Sequence, residues 1–249
     1  MGFERIRVWR HLFAGGSANQ VGSLDYAQTP QAQAELRSLM NELRQEGLYE
    51  RSLRTASYAV VDTETTGFSS DEDVLLSVAA VVCSGSDIEA GAEFQSFVAV
   101  DPSRAVPETV SKLTGITADT LRGAPPLVDV LEEFLRHIGD GILVAHHAGH
   151  DLRFLNAALR KLWTVELPGP VVDTGKVAMI LHKFKQYPSL DVLIELYDVH
   201  RVSRHTALGD AWMTASIWRQ QIALLEAHGI DVLGQLWELM VQLERQHRL

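Results

Sequence analysis

Three short β-rich runs, Tyr58 to Asp62, Val74 to Cys83 and Phe94 to Val100, come before a half of the chain whose apolar residues recur at helical spacing. That order constrains the fold more than any other feature: strands followed by alternating helices and strands give a mixed sheet with helices on its faces. Leu127, Val130, Leu131, Phe134, Leu135 and Ile138 form a helical stripe behind Pro126, and Gly139-Asp140-Gly141 stops it. Ile142 to Ala145 then reads as a buried strand, Asp151 to Leu162 as a helix, and Val171-Val172 as a short strand ahead of a helix from Thr174. Ser189 opens a helix with Leu190, Leu193, Ile194 and Tyr197 on one face. Ala207 to His228 is a long helix, and Val232 to Gln246 is a final one with Leu233, Leu236, Met240 and Leu243 aligned. The expected class is α/β, with the main domain over 55–228 and a C-terminal helix over 229–249.

Residues 1–54 read as a helical N-terminal appendage. Thr29 can cap its helix, Pro30 suits the first turn, and Leu36, Leu39, Met40 and Leu43 make an apolar stripe that ends near Gly47. Two readings stand for it: a helix packed on the main domain, or a docking element for another protein. The 249 residues, 46% of them hydrophobic, suffice for one well-buried core. The single cysteine, Cys83, sits in an apolar run where a buried thiol is expected. The longest apolar stretch is too short to span a bilayer, and the start MGFERIRVWRHLF lacks the apolar core and cleavage site of a signal peptide. A cytoplasmic chain without membrane contact is expected. The 22 basic and 32 acidic residues leave a net charge of −10, which argues against coating long stretches of nucleic-acid backbone. It does not argue against gripping a short strand end, where bound metal ions reverse the field near carboxylates.

Chemistry concentrates in three places. In Val60-Val61-Asp62-Thr63-Glu64-Thr65-Thr66-Gly67 a hydrophobic strand emerges into two carboxylates one residue apart. Side chains two apart on a strand share a face, so Asp62 and Glu64 can converge on one hard cation such as Mg²⁺ or Mn²⁺; exposed strand ends also carry acids without function. Asp151 follows the strand Leu143 to Ala145 and the turn His146-His147-Ala148-Gly149-His150, where an acid can simply begin a helix. In His205-Thr206-Ala207-Leu208-Gly209-Asp210 the histidine and the acid are five apart, about 140° on an ideal helix. The spacing therefore puts Asp210 in the first turns of the helix and His205 on the loop before it. Alone, His205 also reads as a solvated loop histidine.

Taken together, VVDTETTG, AHHAGHD and HTALGDA resemble the DEDD superfamily of exonucleases in its histidine-bearing branch, which includes the proofreading epsilon subunit of bacterial DNA polymerase III. The resemblance runs from about Ala56 to Leu225, and Leu113-Thr114-Gly115-Ile116-Thr117 looks like the family's connecting segment. It implies a ribonuclease H-like fold and hydrolysis of the terminal phosphodiester at a single-stranded 3′ end, with release of nucleoside 5′-monophosphates. It further implies two divalent cations, Mg²⁺ or Mn²⁺, held by Asp62, Glu64, Asp151 and Asp210, with Asp62 bridging and His205 as general base. Thr63, Thr65, Thr66, Gly67, Phe68, His146 and His147 are the expected contacts to the terminal nucleotide, with backbone amides on phosphate and the Phe68 ring on a base or sugar.

The second motif of this family usually reads Asn-x-x-Phe-Asp; here His147 and His150 replace the asparagine and the phenylalanine. Those imidazoles either alter pH dependence and strand binding or are packing substitutions. Asp173-Thr174 is explained by helix capping and stands outside the expected site. Lys183, Lys185, Arg201 and Arg204 are candidates to steer phosphate, or solvated surface. A proofreading role requires a DNA polymerase subunit in trans as partner. The alternatives are an exoribonuclease of the same superfamily, since the motifs serve the metals and not the 2′ position, and a non-catalytic partner-binding adaptor.

Overall fold

The computed structural model describes residues 30, 33–34, 36–38, 47–85, 87–101 and 104–247. Strands β1 (Ser57–Thr65), β2 (Leu75–Ser84) and β3 (Asp87–Phe97) come first. The short helices α1 (Glu108–Thr114) and α2 (Ala118–Leu121) lead to α3 (Leu127–Ile138), β4 (Ile142–Ala145), α4 (Gly149–Trp163) and β5 (Val172–Asp173). Helices α5 (Thr174–His182), α6 (Leu190–Leu196), α7 (Ala207–Ala227) and α8 (Leu233–His247) follow. The sheet order is β3-β2-β1-β4-β5, antiparallel from β1 to β3 and parallel across β1, β4 and β5. The mixed five-stranded sheet flanked by helices is the expected one.

Alternation along β1 builds three layers. Ala59 and Val61 face a cluster with Leu131, Phe134, Leu155 and Leu159 of α3 and α4. Tyr58 and Val60 face Trp218 and Ile222 of α7 and Leu233 and Leu236 of α8. Trp218, fully buried, meets the Tyr58 ring edge-on at 5.2 Å, and the Tyr58 hydroxyl donates to the Leu53 carbonyl at 2.6 Å. Ala207, Ala211 and Ala215 on α7 are fully buried small residues, and they allow the helix to lie close against the sheet. Its other side carries Met213 and Ile217 against Leu193 and Ile194 of α6, so α7 is packed on two sides and leaves Arg219 to solvent.

Three differences from the sequence reading have physical causes. The third strand occupies 87–97 and not 94–100, because the hairpin turns at Gly85 (φ 56°) directly after β2. An edge strand needs no continuous apolar run, so its first half carried no hydrophobic signal. Second, α1 and α2 fall where only a connecting segment was expected; Gly115 in the left-handed conformation ends α1, and Thr117 caps α2. Third, residues 48–56 are built into the main core. Leu48, Leu53 and Ala56 are buried, and the start of α8 pairs with this segment through Leu233 N–H to the Arg51 carbonyl (3.0 Å) and Gly234 N–H to the Tyr49 carbonyl (2.8 Å). Of the N-terminal helix, Pro30, 33–34 and 36–38 are helical and Leu36 is buried in the α3/α4 cluster. Thr29, Leu39, Met40 and Leu43 lie outside the described residues.

The parallel arrangement of β1, β4 and β5 puts their carboxyl ends along one edge of the sheet, the position where α/β folds gather ligand-binding groups.

Candidate active site

The first motif occupies the end of β1. Asp62 and Glu64 continue the Val60 face of the strand, as their spacing required. Thr63 points to the other face, is buried, and donates to Asp151 Oδ1 at 2.7 Å. Its hydroxyl is therefore engaged with an acid, at a residue from which a contact to the terminal nucleotide was expected. The register shifts between Glu64 and Thr65, and the chain then turns. Asp73 holds that turn: Thr66 Oγ1 donates to its Oδ1 at 2.8 Å and Ser69 N–H to its Oδ2 at 3.0 Å. The Ser69 amide and then the Thr66 hydroxyl keep the Asp73 carboxyl below its ordinary range. A Cβ on Gly67 would lie 2.4 Å from Asp73 Oδ2, so only glycine lets the turn close on its acid. The Thr65 hydroxyl donates to the Gly67 carbonyl at 2.7 Å. The hydroxyls of Thr65 and Thr66 thus serve the turn, as do the Thr66 amide on the Val74 carbonyl (3.0 Å) and the Phe68 amide on Asp73, while the Phe68 ring stands 86% exposed at its tip.

The second motif links β4 to α4. His147 adopts φ 61°, and Asp151 sits in the first turn of α4, 3% exposed. His146 is half-buried, with Nδ1 3.1 Å from Thr174 Oγ1, and burial pushes its imidazole down to about 4. It is bound into the framework; His147 is exposed. His150 places Nε2 3.2 Å from Thr65 Oγ1, and its ring lies between Phe68 at 5.9 Å and Phe154 at 5.0 Å. The replaced phenylalanine of the second motif is therefore both a packing element and a wall shared with Phe68.

The third motif is arranged as its spacing demands. Thr206 caps α7, its hydroxyl accepting from Gly209 N–H at 3.1 Å, and Asp210 lies in the first turn. His205 precedes the helix at φ 62°, and its backbone N–H donates to Asp210 Oδ1 at 3.3 Å. A Cβ on Gly209 would come 2.3 Å from the Ser203 carbonyl, so glycine lets the histidine loop fold back on the helix. Arg204 enters the site itself. Its guanidinium is ion-paired with Asp210, and Nε and Nη2 each lie 3.2 Å from the Asp191 carboxylate. Arg201 stays outside on Asp191 and Glu195. Lys183 and Lys185 line a groove against Leu239 and Leu243 of α8 and are not gathered with these residues.

Burial and mutual repulsion govern the acids. Burial, then Asp151, Asp210 and Glu64, raises the Asp62 carboxyl well above its ordinary value, with Arg204 opposing. Burial and then Asp210 and Asp151 push Glu64 up to about 8. Burial raises Asp151 to about 7 against the Thr63 hydrogen bond, and burial raises Asp210 against Arg204. The four acids are near enough to repel one another. Yet among the described residues no three His, Cys, Asp or Glu side chains are spaced as a finished metal-ligand set. The reason is local: Arg204 holds Asp210 and Thr63 holds Asp151. The donor set itself, carboxylate oxygens that repel when uncompensated, suits hard divalent cations.

A mixed sheet that gathers four acids and a loop histidine beside the carboxyl ends of its parallel strands is the framework of a nuclease. Residues 59–218 match the family described as Exonuclease (RNase_T), and the chain belongs to that exonuclease family. The DNA polymerase III PolC-type protein of Bacillus subtilis (strain 168) is 38% identical over 194 residues, covering 77% of this chain and 13% of that protein. The chain thus spans about an eighth of the length of this relative. The nuclease domain of 3′hExo, a DEDDh family member bound to rAMP, matches with a TM-score of 0.59 at 19% identity, over 72% of this chain and 95% of that one. Exonuclease X in complex with 5′ overhanging duplex DNA matches with 0.56 at 22% identity, over 74% and 99%. These likenesses establish the ribonuclease H-like exonuclease fold. Among the described residues no helix is long and apolar enough to cross a membrane.

Sequence reasoning set aside Asp173 and did not single out Tyr187 or Asp191. Asp173 accepts four hydrogen bonds at the edge of the second motif. Asp173-Thr174 resembled another recurrent feature of the family but was left out because a capping acid at a strand end explained it; Tyr187 and Asp191 carried no signal, because their partners are distant in the chain.

Proposed function

We propose that the chain is a metal-dependent 3′-to-5′ exonuclease of the histidine-bearing DEDD branch, similar to the epsilon subunit of bacterial DNA polymerase III. It removes nucleoside 5′-monophosphates from single-stranded DNA in proofreading or repair, in the cytoplasm, with a DNA polymerase subunit as partner. The carrying observation is that Asp62, Glu64, Asp151 and Asp210 come from three separate elements, raise one another's proton affinity, and lie beside a loop-borne His205. The exonuclease unit is assigned to 55–228, with 1–54 and 229–249 as flanking segments, of which 48–54 and α8 pack into its core.

Asp62, Glu64, Asp151 and Asp210 are the residues that would hold two Mg²⁺ or Mn²⁺ ions. When bound, such ions lower the pKa of a coordinated water and stabilise the leaving 3′ oxygen. Asp62, near the end of β1 and facing all three other acids, would be the acid common to both ions. The Thr63 hydroxyl, with the Asp151 and Thr63 backbone amides, fixes the Asp151 carboxylate where it would hold a cation. To hold a cation Asp210 would give up Arg204, whose guanidinium is also paired with Asp191. His205 takes the proton of the attacking water; its loop position lets the ring approach and withdraw while its amide stays tied to Asp210. The Thr65 to Phe68 turn would meet the terminal nucleotide chiefly through the exposed Phe68 ring, since the Thr66 amide is held by the Val74 carbonyl and the Phe68 amide by Asp73.

The test uses 5′-labelled single-stranded DNA and RNA with Mn²⁺, with Mg²⁺ and with chelator. A ladder shortening from the 3′ end on DNA, abolished by chelator and by Asp62→Ala, is expected. A ladder on RNA alone moves the substrate to RNA, and no ladder on either leaves the chain a binding adaptor.

A further inference from the structure

We propose that Asp173 and Tyr187 form a positioning pair that fixes the second-motif turn, and through it sets where Asp151 stands and how tightly the site holds its cations. The inference rests on the reading of the four acids as a metal centre. Asp173 ends β5 and is 4% exposed. Its Oδ1 accepts from Gly175 N–H at 3.0 Å and Lys176 N–H at 3.2 Å, which is all that capping α5 requires. Two further bonds leave the helix. Oδ1 also accepts from the Tyr187 hydroxyl at 2.6 Å, and Oδ2 accepts from Ala148 N–H at 3.1 Å, across to the neighbouring strand's turn. The Tyr187 oxygen in turn accepts from His147 N–H at 2.7 Å. Consecutive amides of the turn are thus both held by this pair.

The turn needs such ties. His147 is held at φ 61°, a conformation uncommon for an L side chain. Ala148 heads α4 with no side-chain cap, so the first turn that carries Asp151 is anchored from outside the helix. Displacement is transmitted directly, because Leu152 N–H bonds to the Ala148 carbonyl at 3.0 Å and His150 N–H to the His147 carbonyl at 2.9 Å, one on either side of Asp151. The tyrosine is itself fixed. A Cβ on Gly175 would lie 2.2 Å from Tyr187 Cζ, so the ring rests on bare backbone, with His146 and His147 packed against it at 5.5 and 5.1 Å. The arrangement is that of an outer residue orienting a metal-binding carboxylate, a role whose loss weakens metal affinity by about 10- to 100-fold.

The test is Mn²⁺ binding to the full chain, followed by electron paramagnetic resonance, with melting temperature and digestion kinetics on the same samples. Tyr187→Phe keeps the ring and removes its hydroxyl bonds; Asp173→Asn keeps the cap acceptor and sets an amide group against Ala148 N–H. Both are expected to lose about 10-fold in Mn²⁺ affinity, with kcat recovered at saturating Mn²⁺. Ser189→Ala, which removes the cap of α6 away from the turn, serves as the control and is expected to lower the melting temperature without changing Mn²⁺ affinity. A melting temperature lowered by Tyr187→Phe or Asp173→Asn with unchanged Mn²⁺ affinity overturns the pair's positioning role and leaves the metal centre intact. Absence of Mn²⁺ binding sensitive to Asp62→Ala in the unsubstituted chain overturns the metal centre, and the inference with it.

Discussion

Stripped of divalent ions, the site holds protons that the unfolded chain releases, so raising the pH from 6.5 to 8 in chelator should destabilise the protein. Glu64 titrates near 8 in the folded chain against an ordinary 4.5, and Asp151 near 7 against 3.8. A folded-state value raised in this way contributes stability that is complete below the unfolded value and disappears as pH climbs through the folded one. His146, depressed by burial to about 4, acts in the opposite sense, but only below its ordinary 6.5, and His150 and His182 are depressed likewise. The window from pH 6.5 to 8 therefore reports raised carboxyls, those of the site together with Glu132 of α3, which burial pushes up to about 7 and whose share Glu132→Gln removes. Where only the folded state keeps the Glu64 proton the slope is about 1.4 kcal/mol per pH unit. Glu64 alone then loses about 1–2 kcal/mol across the window, and Asp151, about a quarter titrated at its start, adds less than about 1. Because the two are coupled, the expected total is roughly 2 kcal/mol, a fall in melting temperature of about 4–8 °C for a chain of this size. Circular-dichroism melts at fixed ionic strength measure it. Glu64→Gln should flatten the slope, and saturating Mn²⁺ should reverse it, since cation binding favours the deprotonated acids. A metal-free melting temperature that is constant or rises from pH 6.5 to 8 refutes the electrostatic description of the site.

Other perturbations separate the parts. Arg204→Gln leaves Asp210 without its internal cation; urea unfolding should show about 3 kcal/mol lost in chelator and much less in saturating Mn²⁺. Phe68→Ala removes an exposed ring and should raise KM for single-stranded DNA about 5- to 100-fold, the equivalent of one stacked base, with melting temperature and Mn²⁺ affinity unchanged. His205→Ala should lower kcat about 10²- to 10⁴-fold in single-turnover assays while Mn²⁺ titration gives the affinity of the unsubstituted chain.

Where one residue's neighbours in sequence are its neighbours in space, the sequence was enough. The Asp62 and Glu64 pair shares a strand face as its spacing required, and the 140° argument correctly put His205 on a loop before Asp210. The buried run Ile142–Ala145 and the stripe of α3 were legible because full burial leaves no polar interruption. Elements that bury little were not: β3 at the sheet edge was placed late, and the short helices α1 and α2 had no stripe long enough to read. Long-range hydrogen bonds were invisible for a different reason. The Thr63 hydroxyl bonds Asp151, 88 residues away, and Tyr187 reaches 40 residues back to His147. Arg204 lies beside His205 in sequence, yet nothing in the sequence distinguishes a surface arginine from one held between Asp191 and a site acid.

The central claim is tested most directly by the fate of a label at the last phosphodiester. A single-stranded DNA carrying ³²P in its 3′-terminal internucleotide linkage, incubated with the protein and Mn²⁺, should yield its label first as a nucleoside 5′-monophosphate, before any shortening of the 5′ half. Label retained in oligonucleotides, released as a 3′-phosphate, or freed equally fast in chelator would contradict the account.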